Sequence, residues 1–481
     1  KFPSSIENLP QFWEMLLSSE DQITAYTGRG HIEAGFMNDE ITRFDHKFFN
    51  ISEDEARTMD PQQVLALEIT ELIWKDAGID PAELDKKRIG VYIGVWNQEY
   101  RGDRKSVYYP IGTNPSIIAS RISYHYDLRG PSWVANTACS SSLLAVHYAC
   151  KDIEAGRIDY AVAGGVNMLL GNAFTHSMRN SGFMSDEGRC RTFADVANGY
   201  VRAEGGGLVL LVNKDLARDY YAEILGSSVN QNGALPQVIT APHPEAQETL
   251  ILDACNDAGI DPHAISYVEC HGTGTKIGDP IEISALQNTI AKARESTCYL
   301  GSVKSNMGHL ESAAGIAGLL KTLLALNKGI IPPNLHFDKP NQFIDFDSYN
   351  LKVVSQQTPI SSGALAGVSS FGFGGANAHI IVKGAEPDWA KVIREFRSPF
   401  DPDRSAPLTD YFELDTGAAQ PQQEKPEDNT PGPVHNIGAV VTRIFNQLTD
   451  ISEIDPLIDL TDQGLDSLSA TEFISTLEKE Y

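Results

Sequence analysis

The sequence predicts an α/β domain followed by a linker and a short helical unit. Over residues 1–383, short apolar runs alternate with longer stretches of helical periodicity, which is typical of layered α/β proteins. Residues 416–436 are rich in Pro, Gln, Glu and Gly, as flexible linkers are. Two amphipathic helical patterns come after this stretch. We therefore expect an α/β domain over 1–383, a partly disordered linker over 384–434 and a helical unit over 435–481.

Four short apolar runs mark strands of the α/β domain. They cover residues 89–95, 160–166, 207–212 and 379–382. The run at 207–212, GLVLLV, is apolar at successive positions, and such strands usually have both faces covered by helices. The pattern indicates layers of helix packed on sheet.

Composition and charge narrow the possible partners. The 481 residues are 42% hydrophobic and 21% charged, which is typical of a globular protein and excludes disorder of the whole chain. The formal net charge of -26 disfavours nucleic acids and anionic membrane surfaces, because their phosphates would be repelled. We find no apolar run of about 18 residues that could span a bilayer. Neither nucleic acid nor membrane is therefore an expected partner.

The six cysteines indicate a reducing compartment. They are scattered without a CxxC pair, so the sequence suggests neither a zinc site nor a disulfide scaffold. We accordingly expect a cytoplasmic protein. An N-terminal secretory leader, with a basic start and an apolar core, is not evident in the sequence.

Cys139 is the candidate nucleophile. It lies in VANTACSSSLL (134–144), where small residues surround it and a helical pattern begins directly afterwards. A helix N-terminus favours the thiolate, and small neighbours permit a sharp strand-to-helix turn that exposes the sulfur. A lone cysteine is more often a small buried hydrophobe. Cys150, on the same helix without the small neighbours, is assigned to the core.

Two histidines lie in segments that suit a catalytic site. His271 ends an apolar strand and enters the Gly/Thr-rich turn of VECHGTGTKIGDPIE (268–282), which has no nucleotide-binding glycine pattern. His309 lies with Lys304 and Glu311 in KSNMGHLE, just before a helix of small and apolar residues. Each histidine alone is more often an ordinary hydrogen-bonded residue. No third ligand has a spacing suited to a metal.

A fourth segment, SSFGFGGANAH (369–379), contains Gly372, Gly374 and Gly375. Glycines let a backbone turn tightly and approach a ligand closely. Backbone N–H groups in such a loop can form an oxyanion hole. A plain tight turn between strands is the alternative.

Together and in this order, the four segments resemble the β-ketoacyl synthase family of the thiolase fold, in particular the condensing domains of modular polyketide synthases. DPQQ at 60–63 adds a fifth motif. The resemblance implies two similar α/β halves, about 1–225 and 226–383, in an αβαβα layered arrangement. It also implies a homodimer formed through the synthase domain. Asn136 departs from the family pattern, which more often has Asp near this position.

The resemblance implies polyketide chain elongation by decarboxylative Claisen condensation. Cys139 would accept the acyl chain as a thioester, while His271 and His309 would promote decarboxylation of a malonyl-type extender. Lys304 and Glu311 would be supporting residues. Backbone N–H groups of Cys139 and Phe373 would hold the oxyanion. This chemistry needs neither a metal nor a nucleotide.

The C-terminal segment GLDSLSATEF (464–473) resembles the attachment site of acyl carrier proteins. Ser467 would carry a covalent 4′-phosphopantetheine, although a lone serine there could also be an ordinary helix N-cap. The carrier unit is expected to be partial. The family's usual opening strand before Phe2-Pro3 is also missing, so we expect the sequence to be a fragment at both ends.

The domain order indicates which partners the chain needs. No acyltransferase-type GHSxG elbow lies between the two units. We therefore expect an acyltransferase that acts in trans, together with acyl carrier proteins, both the chain's own and those upstream. Two alternatives stay open: a non-elongating platform for acyl transfer and dimerisation, and a fatty-acid-type synthase. A degradative thiolase is disfavoured, because no second cysteine follows Cys298.

Overall fold

A computed structural model describes residues 1–4, 6–26, 32–37, 43–236, 238–393, 399–400 and 406–407. The predicted helical unit at 435–481, with Ser467, lies outside the described residues. The described chain contains short and long helices and two larger sheets. The helices are α1 (Leu9–Leu17), α2 (Glu53–Ala56), α3 (Pro61–Ala77), α4 (Tyr109–Thr113), α5 (Ser116–Tyr126), α6 (Ser141–Glu154), α7 (Ala173–Asn180), α8 (Pro244–Ala258), α9 (Gly278–Asn288), α10 (Lys304–Met307) and α11 (Ala314–Lys328).

The strands include the four apolar runs of the sequence. They are β1 (Thr24–Tyr26), β2 (Ile32–Ala34), β3 (Arg43–Phe44), β4 (Ile89–Gly94), β5 (Ser132–Ala135), β6 (Tyr160–Asn167), β7 (Gly205–Val212), β8 (Ala222–Gln231), β9 (Ile265–Glu269), β10 (Cys298–Gly301), β11 (Ile330–Ile331), β12 (Leu351–Val353), β13 (Thr358–Pro359), β14 (Leu365–Phe371), β15 (Ala376–Gly384) and β16 (Ala406–Pro407). All four predicted strands are present, and none of their ends differs from the expected one by more than three residues.

The two larger sheets have similar strand topologies. The first has the order β5-β4-β6-β7, and the second has the order β12-β10-β9-β14-β15-β8. In the first, β4 is parallel to both neighbours and β7 is antiparallel to β6. In the second, β9 is likewise parallel to both neighbours and β15 is antiparallel to β14. The two predicted halves are therefore similar, and β8 places the start of the second half at Ala222.

Helices form layers around these sheets. α6 and α11 pack against each other and against strands of both sheets, so they form the central layer. α3 and α5 cover the outer face of the first sheet, whereas α8 and α9 cover that of the second. This confirms the expected αβαβα arrangement. Of the helices in the described part of the chain, none combines the length and apolar character needed to cross a bilayer.

The prediction that 207–212 is a fully covered strand is wrong for its second half. β7 is buried from Gly205 to Leu208 but only half-buried from Val209 to Val212. The reason is its position, because β7 lies at an edge of the first sheet. An apolar run does not reveal whether its strand is central or at an edge.

The compact unit also extends past the predicted boundary at Lys383. The Tyr220 N–H donates to the Trp389 carbonyl at 3.0 Å, and the two rings stack with centroids 6.3 Å apart. Further on, the Phe400 ring lies 5.5 Å from that of Phe49. Trp389 and Phe400, both after Lys383, thus pack back on the α/β layers.

The start of α6 lies directly on the end of β4. A β-carbon on Gly94 would lie 2.5 Å from the backbone nitrogen of Ser142 and 2.6 Å from the carbonyl carbon of Ser141. Real β-carbons do not approach backbone atoms so closely. Glycine at position 94 therefore permits close contact between the end of β4 and the N-terminus of α6, the helix that follows the Cys139 turn.

We expect Gly94→Ala to lower the free energy of unfolding by more than about 2 kcal/mol, because the backbone of α6 would have to move. Gly171→Ala is the control, since its β-carbon would meet Glu99 at an ordinary 3.7 Å and should change stability by less than about 0.5 kcal/mol. Denaturant-induced unfolding measures both. Equal stabilities of the two variants would contradict this account of the contact.

Candidate active site

Cys139 lies in the turn between β5 and α6. The turn is a short 3₁₀ segment, Ala138–Ser140, and Ala138 has φ +55°. A non-glycine residue in this left-handed region marks local backbone strain, which is common at catalytic turns. The predicted sharp strand-to-helix turn is therefore present. Cys139 is less exposed than expected, since only 8% of the residue is accessible to solvent.

The three serines after Cys139 hold this turn. The Ser140 hydroxyl donates to the Thr137 carbonyl at 2.9 Å, and the Ser141 hydroxyl accepts from the Thr137 N–H at 2.9 Å. The Ser142 hydroxyl accepts from the Ile316 N–H at 3.0 Å, at the start of α11. Small hydroxyl side chains thus satisfy backbone groups that the turn leaves without helical partners.

Burial sets the charge state of the nucleophile. The pKa of the Cys139 thiol is raised to about 12, mainly by burial and secondly by the charge of Glu311. Lys304 and the backbone N–H groups of Phe373 and Cys139 lower it, without offsetting burial. The expectation that the helix terminus favours a thiolate is therefore not met in the resting site. The same two N–H groups are those expected to hold the oxyanion, and both lie beside the sulfur.

His271 follows β9 and is held through its backbone. Its N–H donates to the Glu282 carboxylate at 2.7 Å, and the Gly272 N–H donates to the other oxygen of that carboxylate at 2.8 Å. Burial raises the pKa of Glu282 to about 7. The buried glutamate of the GDPIE motif, Glu282, therefore fixes the backbone of the loop that carries His271.

His309 lies between α10 and α11, close to the first histidine. It is 2% exposed, and its ring centroid lies 5.4 Å from that of His271 at an interplanar angle of 83°. Burial, with the charge of Lys304, holds the pKa of both histidines well below the usual 6.5. Both rings are therefore neutral near pH 7.

Backbone donors select the tautomer of each neutral ring. The Phe371 N–H donates to Nδ1 of His271 at 3.4 Å, and the Glu311 N–H donates to Nδ1 of His309 at 2.9 Å. A nitrogen that accepts carries no proton, so the proton of each ring is on Nε2. The site thus holds two neutral Nε2–H donors.

Lys304 and β14 connect the nucleophile with the histidines. Lys304 is 4% exposed, and burial lowers its pKa while Glu269 and Glu282 raise it. At the end of β14, the Ser370 hydroxyl donates to the Cys139 carbonyl at 2.8 Å, and the next residue carries the N–H that binds His271. The structure therefore brings the predicted residues Cys139, His271, His309, Lys304 and Phe373 into one site.

Sequence reasoning missed the partner of Glu311. The Arg202 guanidinium donates to both oxygens of the Glu311 carboxylate, at 2.6 and 3.0 Å, and both side chains are at most 1% exposed. Arg202 also donates to the Thr175 hydroxyl at 2.6 Å. An arginine three residues before a glycine-rich apolar strand was the available signal. Glu311 is thus bound to arginine through its carboxylate and to His309 through its N–H.

At two of the three glycine positions in the loop 369–379, the backbone conformation or a close contact requires glycine. A β-carbon on Gly372 would lie 2.3 Å from the Thr137 carbonyl oxygen, so the loop could not approach the nucleophile turn. Gly375 has φ +85°, which glycine adopts without strain. Gly374 has no neighbour within 4 Å of such a carbon. Phe373, between Gly372 and Gly374, packs on Phe183 with ring centroids 5.3 Å apart.

A large groove lies away from these residues. It has a volume of about 1090 Å³ and is lined by residues of β7, α3 and α11 and by none of Cys139, His271 or His309. Over the described ranges, no group of three or more His, Cys, Asp or Glu side chains is placed to hold a metal ion. The candidate site is therefore separate from the groove.

Comparison with family models gives four matches in chain order. The N-terminal domain of β-ketoacyl synthases matches residues 1–217, and the C-terminal domain matches 221–338. The ketoacyl-synthetase C-terminal extension matches 340–400. A phosphopantetheine attachment site matches 439–481 and indicates a covalently bound 4′-phosphopantetheine.

Relatives and solved structures agree with these matches. One phenolphthiocerol/phthiocerol polyketide synthase polypeptide of Mycobacterium tuberculosis is 43% identical over 396 residues, which cover 79% of this chain and 21% of that protein. The ketosynthase from module 6 of the Bacillus subtilis 168 bacillaene synthase is 38% identical with a TM-score of 0.75, covering 80% of this chain and 70% of that one. The Streptomyces albus JA3453 oxazolomycin ketosynthase domain OzmH KS7 is 34% identical with a TM-score of 0.75, covering 80% and 74%. The predicted family and fold are confirmed, and this chain spans about a fifth of the mycobacterial relative.

We expect Glu311→Gln to lower the free energy of unfolding by about 3–5 kcal/mol, because the buried Arg202 charge would lose its bidentate partner. Arg129→Gln is the control, since Arg129 and its partner Asp127 are about 60% exposed and such pairs contribute about 1 kcal/mol or less. Denaturant unfolding measures both losses. Similar small losses would show that the buried pair is not a principal contact.

We expect alkylation of Cys139 by iodoacetamide to accelerate about tenfold per pH unit between about pH 7 and 9, because a thiol with a pKa of about 12 is protonated throughout this range. Mass spectrometry of the peptide that contains Cys139 measures the rate. A rate that levels off near neutral pH would show that the resting nucleophile is already a thiolate.

Proposed function

Because the chain belongs to the β-ketoacyl synthase family, we propose that it elongates a polyketide chain by decarboxylative Claisen condensation. A thioester-bound acyl group would be transferred to Cys139 and then extended by a malonyl-type unit carried on an acyl carrier protein. The observation that carries this proposal is the pair of neutral imidazoles, His271 and His309, whose Nδ1 atoms both accept backbone N–H groups. Their Nε2–H groups are the donors that a developing enolate requires.

In the first step, the Cys139 sulfur attacks the carbonyl carbon of the acyl thioester. The oxyanion that forms is stabilised by the backbone N–H groups of Cys139 and Phe373, which lie beside the sulfur. Collapse of this intermediate breaks the bond to the carrier thiol. That thiol leaves with the proton that Cys139 loses, so one thiol replaces the other and no net charge is created in the site.

In the second step, the malonyl carboxylate leaves as CO₂ and its electron pair forms an enolate. His271 and His309 donate from Nε2 to the enolate oxygen, so negative charge is stabilised without a strong base. The enolate carbon then attacks the Cys139 thioester. The carbon–carbon bond forms as the Cys139 sulfur leaves as a thiolate, which then takes a proton from solvent water for the next cycle.

We also assign the 4′-phosphopantetheine to Ser467. The carrier-type match covers this serine, which precedes an apolar-faced helical pattern and follows Asp466. A serine hydroxyl can form the required phosphodiester. Ser467 itself lies outside the described residues, so the assignment rests on the sequence.

The proposal includes partners and a location. Acyl carrier proteins, the chain's own and those upstream, would deliver the substrates, and an acyltransferase acting in trans would load the extender. A homodimer through the synthase domain is supported by β5, an edge strand of the first sheet in the described part of the chain. A cytoplasmic location agrees with six unpaired cysteines. Sedimentation of the purified chain as a monomer would exclude the dimer.

We expect the chain, given an acyl pantetheine thioester and a malonyl carrier, to form the extended β-ketoacyl product. Cys139→Ala should abolish acylation, because the nucleophile is gone. His309→Gln should keep acylation but slow CO₂ release by at least about 100-fold, since one donor to the enolate is lost. Mass spectrometry of protein and product, with CO₂ measured separately, resolves the two steps.

Cys150→Ala is the matched control, because Cys150 is equally buried, on the helix α6 that directly follows the Cys139 turn, and its loss should not affect acylation. Acylation of the Cys139→Ala protein would show that the nucleophile is wrong. Acylation of the unchanged chain without extension would overturn elongation and support the alternative, a non-elongating acyl-transfer platform.

We expect incubation with coenzyme A and a phosphopantetheinyl transferase to add one phosphopantetheine group to the chain. Ser467→Ala should prevent this addition, because the hydroxyl that forms the phosphodiester is removed. Ser469→Ala, two residues further on, is the control and should be modified normally. Modification of the Ser467→Ala protein, seen as an unchanged mass increase, would refute the assignment.

A further inference from the structure

Tyr200 places a phenol ring against the second histidine of the active site. Its ring packs edge-on against that of His309, with centroids 5.2 Å apart, and only 7% of the residue is exposed. The Tyr200 N–H donates to the Phe183 carbonyl at 3.1 Å, and the Tyr200 carbonyl accepts from the Ser185 N–H at 2.8 Å. Backbone and ring contacts therefore both fix Tyr200 beside the site.

The Tyr200 hydroxyl has no hydrogen-bond partner among the described residues, whereas buried hydroxyls nearly always have one. The charged neighbours Arg202 and Glu311 are already bound to each other. The pKa of the hydroxyl is raised well above the usual 10, mainly by burial and secondly by the charge of Glu311, so the hydroxyl stays protonated. Its oxygen is not enclosed on all sides. A ligand can therefore reach an unpaired donor that the proposed catalysis does not use.

The surface around this hydroxyl is apolar and continues to the nucleophile. Tyr200 belongs to a buried cluster with Met178, Met184 and Cys190, on which Phe174, Phe183 and Phe373 pack. Phe373 connects the cluster to the nucleophile, because its backbone N–H lies beside the Cys139 sulfur. An acyl chain on Cys139 thus starts next to an apolar surface that carries the Tyr200 hydroxyl.

The chemistry of the proposed reaction supplies an oxygen for this hydroxyl. Each such condensation leaves a carbonyl at C3 of its product, and reduction of that carbonyl gives a hydroxyl. A chain that arrives from an earlier condensation therefore carries oxygen at C3 unless that oxygen has been removed. A hydroxyl in an apolar wall discriminates against a saturated chain, because the saturated chain would cover the hydroxyl and leave it without a partner.

We propose that Tyr200 is a specificity-determining residue whose hydroxyl binds the C3 oxygen of the acyl chain on Cys139, so that the site selects C3-oxygenated chains over saturated ones. This inference rests on the proposed function, since it assigns the substrate class of the same nucleophile. The extender is activated from Nε2 of His271 and His309, so recognition of the acyl chain and decarboxylation can be measured separately.

Competition between thioesters of equal chain length tests the assignment. The chain is given butyryl pantetheine together with 3-hydroxybutyryl or 3-oxobutyryl pantetheine, and mass spectrometry measures which acyl group is on Cys139. We expect at least one oxygenated chain to be preferred at least about tenfold. Tyr200→Phe should reduce this preference to less than about twofold by slowing transfer of the oxygenated chain. Tyr148→Phe is the control, since Tyr148 is 44% exposed and should keep the preference.

Phenylalanine keeps the ring, so the rate of butyryl transfer checks that the Tyr200→Phe protein is folded. No preference in the unchanged chain, or the same preference in Tyr200→Phe, would overturn the proposal. So would slower CO₂ release from the malonyl carrier in Tyr200→Phe without any acyl donor, because the hydroxyl would then act on the extender. The expected preference without chain extension would refute elongation and leave acyl recognition intact. Absence of acylation by all three thioesters would overturn both.

Discussion

The N-terminal turn of α6 packs against backbone on two sides, and the rest of the site depends on this contact. Gly94 leaves room for it on the sheet side, and Gly315 does so on the α11 side, where a β-carbon would lie 2.5 Å from the Leu143 side chain. α6 begins just after Cys139, and α11 begins just after His309 and Glu311. Because α6 packs closely on α11 through the Leu143 side chain at Gly315, the nucleophile and the second histidine are held relative to each other.

Burial follows from this central position and decides which charges the site can hold. Desolvation is the largest influence on the pKa of Cys139, His271, His309 and Lys304. A charge is tolerated where it has a close, bidentate partner, as Arg202 has. The reacting groups are consequently neutral at rest, and negative charge develops only when the substrate brings it.

Local patterns predicted most of the site. Cys139, His271 and His309 each adjoin an apolar strand or helix whose periodicity is readable within a dozen residues, and each lies where those patterns placed it. The partner of Glu311 could not be found in this way, because Arg202 is 109 residues distant in the sequence. Similarly, the exposure of β7 and the packing of residues after Lys383 depend on which other elements reach them, which no single run of residues encodes.

The position of Cys139 at a helix N-terminus was not enough to predict its charge state. A rise in pKa from 9 to about 12 corresponds to about 4 kcal/mol against the thiolate. A helix N-terminus stabilises an anion by at most about 2 kcal/mol, so burial prevails. Exchange of one thiol for another avoids this cost, because the carrier thiol takes the proton as the sulfur of Cys139 takes the acyl group. A buried, uncharged nucleophile is thus suited to thioester exchange, and water, a poorer nucleophile, is largely kept from the acyl group by the same burial.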